Sequence, residues 1–552
     1  MNNFPDNSMV KRSLSLVFLI CFIIINIAGC LENKNRTKPK LIVQLSIDGL
    51  KDGLLERYDP VFNFGFRKLL DEGLKFSNAT VGHAVTVSHA GHVTIATGDH
   101  PSKHGIVDAA FYSTVNNKRV LVDCVADSTE HILGYPNSQG VSPRQILKSS
   151  IAGWVTDSGP ESKSLAVGSG YISSLLYSYK KDSDVYWNMG GKYVTSTYYK
   201  KEYPAWVQKF NDEVMPELKK NSEVWANSVP VKFRNLSRPD TAFYEGDKVN
   251  TTFPHLIKNE LGKLFKSDPE RAMNIWFGWT PVNDIATLKL AETGIDSMKL
   301  GQRGNTDYLA IVLSEVDGNS HYYGPLSMEV FDVLVELDRA IGEFINYLDM
   351  KLGRDNYILA LTADHGFPEV VEYKQEKGEY ARRLKKDEIE KFFDVIKKAV
   401  NGYPDLSEKN NDAIKKAAKK YDFIADVYSY SKLSGEKRTN DKYLPLYRNS
   451  FRKDRVPRLP LFSLENFESP IGKAGAMIRM KKGIMIDIDT DTHGSVYDYD
   501  RDIPLIFFGS YIKSGNNKKE AHIIDVSPTL AHIAGIPVPG DIDGKVLIDH
   551  EN

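Results

Sequence analysis

Cysteine is scarce in this chain of 552 residues. Its three cysteines, Cys21, Cys30 and Cys124, cannot build a framework of several disulfides, and their spacing matches no zinc site made of thiolates. The chain also lacks net charge, because 71 Lys and Arg oppose 72 Asp and Glu, which gives a formal charge of −1 at pH 7. Proteins that bind nucleic acids in general are normally basic, so this balance argues against that class.

Long apolar runs are also missing, apart from the run Leu14–Ile27 near the N-terminus. That run is short for a membrane-spanning helix, which needs about 20 residues. Lys11 and Arg12 precede it, as in the basic region of a secretory signal peptide. Residues 27–30 (IAGC) resemble the lipobox of bacterial lipoproteins, in which the chain is cut before the cysteine and the cysteine carries lipid.

This leader predicts where the protein acts. We expect residues 1–30 to be a lipoprotein signal peptide with its lipobox, Cys30 to be lipidated, and residues 31–40 to be a tether. The rest of the chain would then be extracytoplasmic and lipid-anchored to a bacterial membrane, in the periplasm or at the cell surface. The alternative is an uncleaved N-terminal anchor helix, which also places the rest of the chain outside the cytoplasm.

Several short apolar runs beyond the leader are typical of buried strands. They are Leu41–Ile47, Tyr308–Val316, Tyr357–Thr362 and Pro504–Phe508, and the first three are followed at once or after one residue by Asp. Between them, residues 330–348 have apolar positions at the helical spacing. Alternating strands and helices predict an α/β fold with a doubly wound, mostly parallel sheet, in which ligands bind at the carboxyl ends of the strands.

Composition divides the chain into a core and inserted parts. Residues near 170–300 are rich in Tyr, Trp and Lys, and residues near 370–480 hold charged helical segments and a basic loop. We therefore predict a core in three parts that is interrupted by a cap insertion and by a second insertion. The predicted core parts are 41–165, 305–370 and 481–552, and the predicted insertions are 166–304 and 371–480.

Aspartate and histidine residues gather at these strand ends and close to them. Each pair alone is a weak signal, but the whole set offers six nitrogen and oxygen ligands without a thiolate. Such a set suits two divalent metal ions, and zinc fits it well. Two ions can hold the attacking and the leaving oxygen of a phosphoryl transfer. The six residues are Asp48, Asp317, His321, Asp364, His365 and His493.

Residues 85–106 supply a candidate nucleophile. Ser88 is followed four residues later by His92, nine later by Thr97, and then by a turn that ends in His104-Gly105-Ile106. This pattern resembles the alkaline phosphatase superfamily, in the branch of type I phosphodiesterases, nucleotide pyrophosphatases and phosphate-irrepressible alkaline phosphatases. The register of that pattern makes Ser88 the nucleophile, with Thr86 as the alternative. His89 and His92 are interpreted as packing residues near the site.

Later segments extend the resemblance over most of the chain. Residues 317–325 match the family's D-x-x-x-H-x-x-G-P, residues 362–366 match T-A-D-H-G, and residues 493–495 match its late histidine block. The resemblance implies an alkaline-phosphatase-like core with inserted cap subdomains. It also implies that one metal ion is held by Asp48, Asp364, His365 and the Ser88 oxygen, and the other by Asp317, His321 and His493.

Two departures from the family pattern bear on the substrate. The family often has Asn 21 residues past the nucleophile as a donor to a phosphoryl oxygen, where this chain has Ala109. Losing one such donor typically costs about 10²–10³ in rate. The phosphatases also carry a Lys-x-Arg pair, whereas the corresponding residues 167–172 contain no cation. Lys180 and Lys181 could replace it if the register shifts, or could simply lie in a solvated turn.

A phosphate monoester carries about one more negative charge than a diester, so the loss of these cations predicts a diester, pyrophosphate or phosphonate substrate. We therefore expect a phosphodiesterase or nucleotide pyrophosphatase that forms a phosphoseryl intermediate. The alternatives are a broad-range alkaline phosphomonoesterase and a catalytically impaired, metal-bearing surface lipoprotein. The expected partner is a small phosphate ester, with no nucleic acid bound beyond nucleotide substrates. Tyr112 is a candidate for the pocket wall, and the aromatic residues between Tyr171 and Tyr199 are read as cap core rather than as a base-stacking surface.

Overall fold

The computed structural model describes most of the chain that follows the predicted leader. The described residues are 38–549, except 116–117, 171–173, 182, 459–468 and 488. The predicted signal peptide, Cys30 and most of the predicted tether therefore lie outside the described residues. Among the described helices, none is both long enough and apolar enough to cross a membrane.

Within the part of the chain that the structure describes, nine strands form the central sheet. Their spatial order is β9-β2-β8-β7-β1-β6-β3-β4-β5. In chain order they are β1 (Leu41–Ile47), β2 (Leu74–Thr80), β3 (Ser164–Gly168), β4 (Asp184–Met189), β5 (Lys192–Val194), β6 (Asp307–Leu313), β7 (Tyr357–Thr362), β8 (Leu505–Gly509) and β9 (Gly515–His522).

The sheet is mixed and mostly parallel, which confirms the predicted fold class. β1 is parallel to both of its neighbours, β6 and β7, and the pairs β6–β3, β3–β4 and β9–β2 are parallel too. Every residue of β1, β6 and β7 is buried, as expected for strands that helices cover on both faces.

The strand predicted at Pro504–Phe508 differs from the others in direction. β8 pairs antiparallel with both β7 and β2, so that Leu505 lies beside Thr362 and Gly509 beside Ile358. The chain leaves β7 at the carboxyl edge of the sheet and re-enters at that same edge, which requires β8 to run back. Gly509 therefore ends its strand at the edge opposite to the aspartates.

In the described residues, helices and four small sheets accompany this core. Three helices receive labels here: α1 (Ser88–Thr97), α2 (Glu315–Tyr323) and α3 (Met328–Leu352). The other helices of eight or more residues are Gly65–Glu72, Ile151–Ser158, Pro269–Phe277, Val282–Met298, Lys386–Ala399, Glu408–Ala418 and Val526–Ile533. The small sheets pair Ala110–Val115 with Lys118–Asp123 and Arg455–Pro457, Val224–Trp225 with His255–Leu256, Arg382–Leu384 with Ile484–Ile486, and Ile424–Tyr428 with Met477–Met480.

The predicted cap segment 166–304 is not wholly outside the core. Most of β3 and all of β4 and β5 belong to this segment, yet they extend the central sheet beyond β6. The predicted boundaries otherwise stay predictions. The aromatic residues in this segment pack in the main hydrophobic core, where Tyr177, Tyr186 and Trp187 are fully buried.

The segment 371–480 forms a second hydrophobic cluster. Phe392, Phe393 and Met477 pack there, together with Val85 and Val87 from the stretch that leads into α1. The second cluster therefore supports the backbone on the N-terminal side of Ser88. This contact gives the segment a structural connection to the predicted site.

A buried carboxylate ties α3 to the chain that follows β1. Asp338 accepts hydrogen bonds from the backbone N–H groups of Asn63 (2.8 Å), Phe64 (3.0 Å) and Phe66 (2.8 Å). We predict that Asp338→Ala lowers the free energy of unfolding by about 2–4 kcal/mol, because it leaves these donors without a partner. Urea denaturation measures this change. The exposed Asp355 is the control, and Asp355→Ala should change stability by less than about 0.5 kcal/mol. Equal effects of the two substitutions would contradict the assignment.

Candidate active site

Three aspartates meet at the carboxyl edge of the sheet. Asp48 follows β1 directly, Asp364 lies two residues after β7, and Asp317 lies in the first turn of α2 after β6. Because β1 lies between β6 and β7, the three carboxylates converge. Burial raises the pKa of each carboxyl group well above its usual range, and a neighbouring carboxylate raises it further. Such a group of carboxylates is stable in its charged form only beside cations.

Two of these carboxylates have a buried oxygen without a hydrogen bond. Asp317 Oδ1 and Asp364 Oδ2 have no hydrogen-bond partner among the described residues. Buried carboxylate oxygens are normally hydrogen-bonded or bound to a metal. The donor set therefore fits divalent cations.

Three histidines complete the set, and their orientation is fixed by backbone carbonyls. Each Nδ1 lies within hydrogen-bond distance of a carbonyl oxygen, which can only accept, so Nδ1 carries the proton and Nε2 keeps its lone pair. Burial lowers the pKa of all three imidazoles, to about 3 for His493, so they are neutral. The contacts are His321 to Asp491 O (3.0 Å), His365 to Gly366 O (3.1 Å) and His493 to Thr86 O (2.8 Å).

The ligand atoms fall into two groups that differ from the predicted sets. Atoms of Asp48, His92 and Asp364 lie within 4.8 Å of one another, and so do atoms of Asp317, His365 and His493. His365 faces both groups, since its Nε2 is 3.4 Å from Asp48 Oδ1, 3.4 Å from Asp364 Oδ2 and 3.9 Å from Asp317 Oδ1. His321 Nε2 lies 3.7 Å from Asp317 Oδ2, at the outer side of the second group. All six predicted Asp and His ligands are thus brought together, and their binding of metal stays a prediction.

Ser88 is the first residue of α1, and its hydroxyl faces this cluster. Ser88 Oγ lies 3.4 Å from Asp48 Oδ1 and 3.3 Å from His365 Nε2. No side chain caps the first turn of α1, so its N–H groups are available to an anion. The alternative nucleophile is occupied elsewhere, because the buried Thr86 hydroxyl donates to Ser495 O (2.8 Å). The geometry favours Ser88.

His92 is a site residue whose position the sequence reasoning understated. Its Nε2 lies 3.4 Å from Asp48 Oδ2 and 3.5 Å from Asp364 Oδ2, and its Nδ1 lies 3.4 Å from the Tyr177 hydroxyl. The signal was available, because residues four apart on a helix share one face and Ser88 already faces the site. His92 is therefore part of the site and not only of its packing.

Tyr112 requires a correction. Its ring is fully buried in the second hydrophobic cluster, where it packs against Gly472, and its hydroxyl accepts from the backbone N–H of Ser469 (2.6 Å). A side chain without exposed surface cannot line a pocket. The small sheet formed with Arg455–Pro457 turns the ring inward, and such a distant pairing is not visible in the local sequence.

The missing phosphate contacts are not replaced by the nearby lysines. Lys180 Nζ donates to Thr156 Oγ1 (2.9 Å) and pairs with Asp157, while Lys181 Nζ lies 6.0 Å from the centre of the Tyr198 ring. Both lysines thus contact other side chains of the chain. Ala109 stands half-buried at the position where the family often has Asn.

The chain was compared with known proteins. A model of the family "Type I phosphodiesterase / nucleotide pyrophosphatase" matches residues 42–469. Alkaline phosphatase PhoV of Synechococcus elongatus is 28% identical over 530 residues, which cover 93% of each chain. Alkaline phosphatase PafA of Elizabethkingia meningoseptica is 28% identical over 545 residues, which cover 93% of this chain and 94% of PafA.

Crystal structures of PafA match the fold. The wild-type structure has a TM-score of 0.80 at 26% identity and covers 93% of this chain and 98% of its own. The structure of a PafA variant with four substitutions has a TM-score of 0.81 at 27% identity with the same coverage. In that variant serine replaces a threonine, and alanine replaces an asparagine, a lysine and an arginine.

The close approach of α1 to Asp364 at Gly91 leaves no room for a larger side chain. A Cβ added at Gly91 would lie 2.6 Å from both Cβ and the carbonyl oxygen of Asp364. We expect Gly91→Ala to displace α1 and to lower kcat/KM for a phosphate ester by about 10²-fold, as is typical of a shift of about 1 Å. Steady-state kinetics on folded protein measure the effect. Gly53→Ala is the matched control, because a Cβ there meets only Lys51 Cε at 3.9 Å. Unchanged kcat/KM in Gly91→Ala would refute the proposed fit.

Proposed function

We propose a function from the premise that this chain belongs to the type I phosphodiesterase/nucleotide pyrophosphatase family, whose model matches residues 42–469. The chain is a phosphoester hydrolase, and we propose that it cleaves phosphate diesters or pyrophosphates through a covalent phosphoseryl intermediate. The observation that carries this proposal is the place of the Ser88 hydroxyl, which lies at the start of α1 beside Asp48 and His365. We further propose that the enzyme acts outside the cytoplasm, anchored through Cys30.

Two divalent ions, for which zinc fits the ligands, would offset the carboxylates, lower the pKa of the Ser88 hydroxyl and stabilise the leaving oxygen. The unpartnered oxygens of Asp317 and Asp364 and the carbonyl-oriented imidazoles support this assignment. The residues proposed to hold one ion are Asp48, Asp364, His365 and Ser88, and those proposed to hold the other are Asp317, His321 and His493.

The residues of the chain account for the remaining steps. Ser88 Oγ attacks phosphorus, and the bond from phosphorus to the leaving oxygen breaks. The N–H groups in the first turn of α1 point toward the phosphoryl oxygens and stabilise the charge that develops on them. Water then cleaves the phosphoseryl bond and restores the hydroxyl. Burial lowers the pKa of His321, His365 and His493 and keeps them neutral, while the backbone carbonyls keep their rings oriented.

The proposed preference for diesters rests on the absence of the cations and of the amide donor that would bind a dianionic phosphate group. Ala109 supplies no side-chain donor, residues 167–172 contain no cation, and Lys180 pairs with Asp157. In the PafA variant serine replaces a threonine, and alanine replaces an asparagine, a lysine and an arginine; this chain likewise has serine at residue 88, alanine at residue 109 and no cation in residues 167–172. When two cations are missing from a site, a dianionic monoester loses more electrostatic stabilisation than a monoanionic diester does.

A second candidate is a broad-range phosphomonoesterase. It is favoured by the curated relatives PhoV and PafA, which are named alkaline phosphatases and cover 93% of this chain. A third, a catalytically impaired metal-bearing lipoprotein, follows only from the missing donors. Assays with a diester and a monoester distinguish the three, because the third predicts bound metal without turnover of either ester.

The nucleophile is tested by Ser88→Ala. We expect kcat/KM for bis-p-nitrophenyl phosphate to fall by at least about 10³-fold, because the substitution removes the hydroxyl that lies beside Asp48 and His365. Thr86→Val is the matched variant and should keep kcat/KM within about tenfold of the wild-type value, since its hydroxyl only donates to Ser495 O. The reverse pattern would assign the nucleophile to Thr86.

The missing donor is tested by Ala109→Asn. Restoring an amide should raise kcat/KM for p-nitrophenyl phosphate relative to bis-p-nitrophenyl phosphate by about tenfold or more. Ala109→Leu has nearly the same shape as Asn without the donor and should not raise this ratio. An equal effect of Asn and Leu would show that Ala109 does not face the phosphoryl group.

A further inference from the structure

A cavity of about 640 Å³ lies beside His321. His321 of α2, which is proposed to hold an ion, lines the cavity together with other residues of α2. The remaining lining residues come from the cap segment, from segment 371–480 and from residues that follow Ile484–Ile486. An alcohol that leaves phosphorus beside His321 would enter this cavity.

One wall of the cavity is aromatic. The rings of Trp279 and Tyr322 are stacked, with their centres 5.5 Å apart and an angle of 26° between them. Tyr323 meets Tyr322 edge-on at 4.9 Å, and Tyr244 also lines the cavity. Trp279 and Tyr322 are partly exposed, so these rings present surface to the cavity. Such surfaces bind flat groups and cations.

The opposite wall and the floor carry carboxylates. Asp487 and Asp489 are about half exposed, with Asp489 Oδ2 4.0 Å from His321 Nδ1. Glu315 is 3% exposed and lines the cavity. Its Oε1 accepts from Asn283 Nδ2 (2.8 Å), whereas no hydrogen bond to Oε2 is seen within the described part of the chain. The partly exposed carboxylates of Asp487 and Asp489 therefore give this cavity acceptor oxygens beside His321.

Among the described residues that line this cavity, the two cations are Arg383 and Lys248, and they do not cancel the charge of the carboxylates. Arg383 gives Nε and Nη2 to the Glu372 carboxylate at 2.8 Å each, and it also donates to the carbonyls of Asp489 and Thr490. Its guanidinium is therefore saturated, although Nη1 lies 4.0 Å from Asp487 Oδ1. Arg383 thus fixes the loop that carries the aspartates. Lys248 is exposed at the rim.

We propose that this cavity binds the leaving group of the substrate and selects alcohols that carry a positively charged ammonium group. The inference rests on the proposed function and narrows it. An ammonium group gains from the aromatic faces and from the carboxylates together. The leaving group of a pyrophosphate is anionic and would be repelled by Asp487 and Asp489. Diesters of amino alcohols are thus the expected substrate class.

The test compares esters that differ only in one charge. Choline phosphate and 3,3-dimethylbutyl phosphate have nearly the same shape, but one has a quaternary nitrogen where the other has carbon; the methyl diester of each is compared too. We expect the charged ester to have a kcat/KM at least about tenfold higher than that of its neutral counterpart, and the diester pair must show this difference. Calorimetry should show that choline binds the holoenzyme more tightly than 3,3-dimethylbutanol does.

Variants that should change the selectivity ratio in opposite directions sharpen this test. Asp489→Asn and Trp279→Leu should each lower the ratio of kcat/KM between the charged and the neutral ester about three- to tenfold. Lys248→Asn removes the cation at the rim and should raise the ratio; Asn tolerates the positive φ of 65° at this position.

The outcomes separate the inference from the function on which it rests. The inference would be overturned if the charged and the neutral ester had nearly equal kcat/KM values and the two alcohols bound equally. Turnover of p-nitrophenyl esters by the same preparation would leave the proposed function standing. A preparation with metal bound that turns over none of the esters would contradict the proposed function itself. Binding of choline by such a preparation, lost in Asp489→Asn, would still support the cavity's selectivity.

Discussion

The structure of the site depends on one electrostatic constraint: three carboxylates are buried side by side at one edge of the sheet. Parallel pairing of β1 with both β6 and β7 places Asp48, Asp317 and Asp364 together. Burial and mutual repulsion raise the pKa of all three, so their charged form needs cations. Ions that satisfy this need would also activate an adjacent hydroxyl. The same constraint thus accounts for both the stability of the site and its chemistry.

Distant parts of the chain hold the site in place. The carbonyls that orient His321 and His493 come from Asp491 and Thr86, which are far from them in sequence. The segment 371–480 packs its hydrophobic cluster against Val85 and Val87, next to Ser88. Arg383, also from that segment, donates to the backbone carbonyls of Asp489 and Thr490, which line the cavity. The segment 371–480 therefore supports the backbone that leads to Ser88 and contributes to one wall of the cavity.

Features carried by local pattern could be predicted from the sequence. Apolar runs that end in Asp predicted the strands and the convergence of Asp48, Asp317 and Asp364, because parallel strands end at one edge. Features that depend on pairing between distant segments could not. The direction of β8 follows from where the chain re-enters the sheet, and the burial of Tyr112 follows from pairing with Arg455–Pro457. His92 lies between these cases, since its helical spacing was visible but the carboxylates it meets were not.

The central claim is that this carboxylate and imidazole cluster holds two divalent ions beside Ser88. Anomalous X-ray diffraction above and below the zinc absorption edge, from crystals grown without chelator, tests it most directly. The account predicts two peaks, one beside Asp48 and Asp364 and one beside Asp317 and His493, with the Ser88 oxygen next to the first. A single peak, or no metal in a protein that still hydrolyses phosphate esters, would contradict it.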